Sequence, residues 1–288
     1  MRAITLIALC LLIWLSGFCQ PEIPFSRLYN FSDTVGYGNT ANNVLPYDSF
    51  FIISGTTHTK EYPGQALFFA KLNYAGDTLW HRIIGKPHHR FYTQSPGTFI
   101  RLKDGNLLQS GADENIDIKD TAMYHSPYLL KLKPDGDTLF LKIYKKEIRR
   151  YLYEIFELED GSILGVGTSS DSVLKDNGQG IMIPAYWYNY VVKYTSDGDE
   201  VWEKTFNKTP VDKSTYLFSA VQARDGSYIL AGSETTNSVG PYPRINPVFM
   251  KMDTLGNILW KKIYGSQEYS NPNLEFSYVL YDLDTKFG

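Results

Sequence analysis

The sequence predicts an all-β fold, a β-propeller of four-stranded antiparallel blades, on three observations. Two short signatures recur in a fixed order roughly every 60 residues. Aromatic residues reach 15%, with 22 Tyr and 16 Phe beside 23 Gly and 14 Pro, the mixture expected of many short strands joined by tight turns. No stretch carries the amphipathic helical period that the helices of a doubly wound sheet or an α/β barrel require.

The chain opens with Met1-Arg2 and runs apolar from Ala3 to Leu15, broken only by Thr5, before Ser16-Gly17-Phe18-Cys19-Gln20. A short positive start, an apolar run too short for a membrane span and small residues near its end describe a signal peptide over residues 1–20. A lipoprotein cut would need a small residue before Cys19, and Phe18 is large. Ordinary cleavage after Cys19 or Gln20 is therefore expected, giving a secreted or cell-surface protein with no transmembrane segment. Both cysteines, Cys10 and Cys19, leave with the leader. Residues 21–288 then form a single domain stabilised by its core rather than by disulfides. A net charge of −3 gives no electrostatic case for a nucleic-acid partner.

One signature is a Lys followed five residues later by Gly and four further on by an aromatic: Lys71, Gly76 and Trp80; Lys131, Gly136 and Phe140; Lys193, Gly198 and Trp202; Lys251, Gly256 and Trp260. The other lies upstream of each copy and runs from Asp to Gly: Asp48 to Gly55, Asp104 to Gly111, Asp160 to Gly167 and Asp225 to Gly232. The second to fourth of these begin Asp-Gly, a hairpin signal that predicts a type I′ turn with positive φ at both central residues. Each repeat then reads as four strands. The first and second meet at the Asp-Gly turn, a variable loop follows, and the third runs through the Lys to the second Gly turn and the fourth strand. The repeats span about residues 42–85, 97–145, 152–207 and 216–265. A unit of this length suits a propeller blade rather than a solenoid coil. Trp80, Phe140, Trp202 and Trp260 are expected to dock one blade against the next.

Residues 25–30, from Phe25, match the start of the other fourth strands, and residues 275–288 resemble the start of a further blade. The expectation is four full blades, an orphan strand and a partial fifth blade, in a sequence truncated from a longer protein. Phe25 would be a docking residue like the others.

The pattern Asp-Gly-Ser-Tyr-Ile-Leu-Ala-Gly over 225–232, followed by Lys251, Gly256 and Trp260, resembles the propeller repeats of secreted and surface proteins from bacteria with type IX secretion. The Gly-to-Trp step is also similar to repeats of quinoprotein dehydrogenases. There it docks blades, so the likeness implies no quinone cofactor. The resemblance implies fold and export, and leaves activity open.

No catalytic residue is assigned: the chain has no Gly-x-Ser-x-Gly elbow, His-Glu-x-x-His, Cys-x-x-Cys or phosphate loop. Gly36-Tyr37-Gly38 reads as a turn. Asp113, Asn115 and Asp117 echo the start of a calcium loop, but Ile118 and Tyr124 stand where an EF-hand needs Gly and Glu. A solvated acidic loop is the expectation there; no cofactor is assigned, and calcium is the one metal with a candidate. Adjacent His88 and His89, with His81 nearby, would point apart on an extended segment and form no zinc set. Lys142, Lys145, Lys146, Arg149 and Arg150 read as a solvated connector between blades. Tyr186, Trp187 and Tyr188 follow the longest insertion and are the candidate ligand-binding residues, either stacking on sugar faces or packing between blades. The chain is thus expected to be an extracellular binding module for a glycan or protein. The alternative is a propeller enzyme that acts on polysaccharide or uses a quinone-type cofactor.

Overall fold

The computed structural model describes residues 28–31, 39–62, 64–93, 96–116, 125–145, 148–170, 174–176, 182–184, 186–206, 213–236 and 244–264. The chain divides into two compact units, Met1–Asn30 and Phe31–Gly288. Of the first, residues 28–30 are described and carry no regular structure; Phe25, Gly36–Gly38 and residues 275–288 lie outside the described residues.

The second unit is a β-propeller of four blades among the described residues. Blade I holds β1 (Thr40–Pro46), β2 (Phe50–Thr57), β3 (Ala66–Asn73) and β4 (Thr78–Ile84). Blade II holds β5 (His89–Tyr92), β6 (Phe99–Arg101), β7 (Leu107–Asn115), β8 (His125–Leu132) and β9 (Thr138–Ile143). Blade III holds β10 (Arg150–Glu157), β11 (Ile163–Ser170), β14 (Trp187–Tyr194) and β15 (Glu200–Phe206), with a separate hairpin of β12 (Leu174–Asp176) and β13 (Met182–Pro184) between β11 and β14. Blade IV holds β16 (Lys213–Gln222), β17 (Tyr228–Thr236), β18 (Arg244–Met252) and β19 (Ile258–Ile263). Every pairing within a blade is antiparallel and follows chain order.

The blades converge on their first strands. Thr93 Oγ1 donates to Asn42 Oδ1, Lys103 N–H to Glu157, Ala220 N–H to Glu154 and Glu159 N–H to Gln222, so successive blades are joined by residues in or next to their first strands. The core lies between blades. Ile52, Leu67 and Phe69 meet Phe91, Leu107 and Tyr128; Leu108 and Leu129 meet Leu152, Ile163 and Tyr190; Leu164, Val166 and Val191 meet Leu217, Leu230 and Met250. Burying each such side chain contributes about 1.5–3 kcal/mol, so adjacent blades hold each other in place.

The outer strands dock on the turns. A Cβ added at Gly136 would come within 3.1 Å of the Trp80 ring, one at Gly198 within 3.0 Å of Phe140, and one at Gly256 within 3.5 Å of Trp202. The aromatic that ends the Lys–Gly signature therefore packs on the glycine of the next copy. Trp260, in the last described blade, is 38% exposed. The two signatures also meet within a blade: Lys131, Lys193 and Lys251 pair with Asp104, Asp160 and Asp225 at 3.0, 3.1 and 2.7 Å. In blade I, Lys71 instead sits over the Phe50 ring.

Two expectations about the repeat are corrected. The Asp-Gly turns are not type I′: φ is positive at Gly105, Gly161 and Gly226 but not at the preceding Asp. Gly105 N–H donates to Leu102 O and Leu102 N–H to Asn106 O, a type I turn closed by a left-handed glycine. The Asp carboxylate accepts the N–H two residues on, at Asn106, Ser162 and Ser227, which holds the Asp on the right-handed side. Blade II also starts earlier than residue 97. Its first strand is split into β5 and β6: six residues separate Tyr92 from Phe99 in the chain, where the equivalent paired positions of the other blades are separated by three.

Candidate functional site

Alternation of strand direction puts both glycine-turn families of a blade at one end. The long connections, from second to third strand and from blade to blade, lie at the other end. At that end, blades II and III meet through side chains of β5, β8, β10 and β14.

At this end of blade II, β5 pairs with the last residues of β7: His89 opposite Asn115, Arg90 opposite Glu114 and Tyr92 opposite Ala112. Glu114 also faces His125, the first residue of β8. Tyr92 Oη donates to Glu114 Oε2 at 2.7 Å, and Arg90 Nη1 donates to the same oxygen at 3.2 Å. His125 Nε2 lies 3.9 Å from that oxygen, beyond hydrogen-bond reach, and has no hydrogen-bond partner among the described residues. On the other side of the imidazole, His125 Nδ1 bonds the phenol of Tyr151, the second residue of β10 in blade III. The rings then continue without a gap: Tyr92 to His125 at 5.3 Å, His125 to Tyr151 at 5.0 Å and Tyr151 to Trp187 at 5.6 Å between centroids.

Burial governs the charge states. Desolvation lowers the His125 pKa to about 4, with Arg149 and Arg90 acting the same way and Glu114 opposing them. Desolvation raises the Tyr151 phenol well above its usual value. At neutral pH a neutral phenol therefore donates to Nδ1 of a neutral imidazole, which leaves Nε2 as the N–H. The junction presents aromatic faces, one carboxylate, one guanidinium and one N–H donor. Arg90 is 40% exposed by side chain, whereas Glu114 is 7% and His125 12% exposed.

Of the expected binding residues, Trp187 opens β14 and enters this row through Tyr151. Tyr186 and Tyr188 flank it, and all three are half-buried. The Trp187 N–H donates to Ser214 Oγ, which anchors the turn into the strand.

The solvated-loop expectation is corrected. Asp113 and Asn115 are not in a solvated loop but in β7, and Asp113 is 3% exposed. Its two carboxylate oxygens lie 2.8 and 2.9 Å from His89 Nδ1. Burial raises its pKa and His89 opposes that, so the carboxylate is committed to the imidazole. Asp117 lies outside the described residues. Among the described residues no group of three or more His, Cys, Asp or Glu is placed to hold a metal.

The histidines do separate, but through a turn: His88 has φ 61° and is exposed, His89 is buried and His81 is exposed on β4. The basic run is not wholly solvated either. Arg150 is buried, bonded to Glu203 and stacked on Tyr190, and Lys142 bonds Asp199 at 2.7 Å. Lys145 is exposed, Arg149 is half-buried and Lys146 lies outside the described residues.

Arg90, Tyr92, Glu114, His125 and Tyr151 were not singled out by motif. The repeat register would have found His125. His125 stands six residues before its Lys, as do Gln65, Trp187 and Ile245, and a position that changes this sharply among aligned repeats is free of the blade's packing rules.

No family model matches the chain, and no curated protein sequence matches it. Among solved structures it is similar to a Penicillium chrysogenum α-L-arabinanase complexed with arabinobiose, at 10% identity and a TM-score of 0.49, covering 80% of this chain and 67% of that one. It is also similar to an endo-arabinase from Bacteroides thetaiotaomicron, at 14% identity and a TM-score of 0.41, covering 71% and 72%. A protein of unknown function from Bacteroides caccae has 11% identity and a TM-score of 0.39, covering 79% and 82%. The chemistry of the site is read from its own side chains.

Proposed function

We propose that this chain binds carbohydrate at the loop-bearing end of blades II and III. The observation that carries the reading is the unbroken row Tyr92, His125, Tyr151 and Trp187 with Glu114 and Arg90 beside it. A sugar offers apolar C–H faces next to hydroxyls that both donate and accept. Aromatic faces with a few fixed polar groups suit that alternation. Glu114 accepts from a hydroxyl, Arg90 donates to one, and the rings take the C–H face.

A hydrolase would need two carboxylates about 5–9.5 Å apart flanking one bond. Asp113, next to Glu114 in the chain, is held by His89, and Glu154 accepts the Ala220 N–H at 2.6 Å. Among the described residues these two carboxylates are engaged in other contacts, which supports the binding reading. The apolar residues 3–15 support an exported setting, which N-terminal sequencing of the secreted protein checks.

The test is a panel of neutral and acidic polysaccharides titrated against the protein, with reducing ends measured in the same incubations. The expected result is saturable binding with no new reducing ends, weakened at least about tenfold by Glu114→Gln. Reducing ends that accumulate and vanish in Glu114→Gln would make the chain an enzyme on polysaccharide, and no binding to any member would reject the reading.

A further inference from the structure

A second aromatic group lies on the first strands themselves. β1, β10 and β16 each carry one extra residue at the same place in the repeat: Asn42, Tyr153 and Phe218. Each follows the residue paired with the glycine that ends the upstream signature, and a Cβ on Gly55, Gly167 or Gly232 would strike the carbonyl of Thr40, Tyr151 or Tyr216. Glycine there lets the bulged strand close on its neighbour. A bulge leaves its extra residue outside the ladder and re-aims the side chain.

In blades III and IV the re-aimed residues are aromatic and meet across the junction. The Tyr153 and Phe218 rings are 5.4 Å apart, and Phe218 lies parallel to Tyr216 at 6.0 Å. Phe218 is 38% exposed, an unusual place for a phenylalanine in a first strand whose neighbour Leu217 is fully buried. Tyr216 occupies the repeat position of Tyr92 and Tyr151, one residue beyond the closing glycine of its partner strand. Tyr151 and Tyr153 stand two residues apart on β10, one in each group.

We propose that the carbohydrate ligand is an extended chain of several sugar units, whose further units lie along Tyr153, Phe218 and Tyr216 while one end occupies the blade II–III junction. The inference rests on the reading above and adds a length requirement to it. One sugar covers one or two rings. The row Tyr92, Tyr151, Tyr153, Phe218 and Tyr216 crosses three successive first strands, and those of blades III and IV are tied by the Ala220–Glu154 bond. Each added unit gains one more ring face without a new loss of translational freedom, so affinity climbs with length until the chain passes the last ring.

The experiment titrates the protein with defined gluco-, xylo- and arabino-oligosaccharide ladders of about one to six units. It compares wild type with Phe218→Ala and with Phe218→Leu, which keeps apolar bulk but removes the ring. The expected result is an affinity that rises about tenfold or more between the shortest bound oligomer and the plateau, with that rise cut about fivefold in both variants at unchanged melting temperature. Equal affinity at all lengths would overturn the inference, as would an equal loss at every length in the two variants; both outcomes leave binding at the blade II–III junction standing. A protein that binds no member of any ladder overturns both readings together.

Discussion

His125 sits between two groups that treat it differently. Tyr151 bonds its Nδ1, while Glu114 stands 3.9 Å from its Nε2. Because burial lowers its pKa to about 4, the unfolded chain binds the His125 proton first as the pH falls from about 6.5. The stability held by the neutral imidazole is therefore fully present above about pH 6.5 and is lost as the pH drops through about 4. The effect reaches up to about 3 kcal/mol. The turn carboxylates act lower: Asp160 is held at about 2 by Ser162 and Lys193, and Asp104 and Asp225 are also depressed. Their contribution is lost below about pH 4. Urea denaturation at intervals from pH 8 to 4 separates the two windows. Wild type is expected to lose stability between pH 6.5 and 4, and His125→Gln to be less stable at pH 8 yet flatter across that interval. Parallel profiles would assign the loss to other groups.

The blade owes its form to glycines with two distinct jobs. Gly161 and Gly198 share nearly the same left-handed φ, 79° and 78°, yet nothing lies within 4 Å of a Cβ on Gly161, while one on Gly198 would press on Phe140 at 3.0 Å. Gly161→Ala is expected to cost about 1–2 kcal/mol of backbone strain alone. Gly198→Ala is expected to cost at least about 1 kcal/mol more, because the Phe140 ring must give way. Denaturation midpoints of the two variants compare these costs directly, and equal losses would mean that the aromatic of one blade does not bear on the turn of the next. This level was legible in the sequence: the fixed spacing of Gly136, Gly198 and Gly256 from their aromatics is the spacing of a turn and the ring that the following copy receives. The turn type was not legible. Asp-Gly alone does not reveal that the Asp carboxylate caps the chain two residues on and keeps its own φ negative.

At the scale of the whole molecule, repetition made the architecture readable and concealed the site. Strand count and antiparallel order follow from signatures that every blade must keep. Arg90, Glu114 and His125 come from blade II and Tyr151 and Trp187 from blade III; Tyr151 holds a position that is tyrosine in blades II, III and IV, whereas His125 and Trp187 share one that changes from repeat to repeat. No contiguous motif joins them, and only the convergence of blades brings them within reach. The split first strand of blade II and the β12–β13 hairpin were missed for the same reason, since they are departures from the repeat. On the proposed reading, carbohydrate is held at the blade II–III junction by rings outside the blade-docking positions. The direct measurement is a calorimetric titration with a polysaccharide ligand, paired with a thermal melt, of Trp187→Ala beside Trp202→Ala, the latter taken from the blade-docking position against Gly256. The account predicts that Trp187→Ala keeps its melting temperature to within a few degrees and loses about tenfold or more in affinity, whereas Trp202→Ala melts markedly lower with affinity per folded molecule retained. A Trp187→Ala protein that melts far lower and binds as wild type per folded molecule would contradict it.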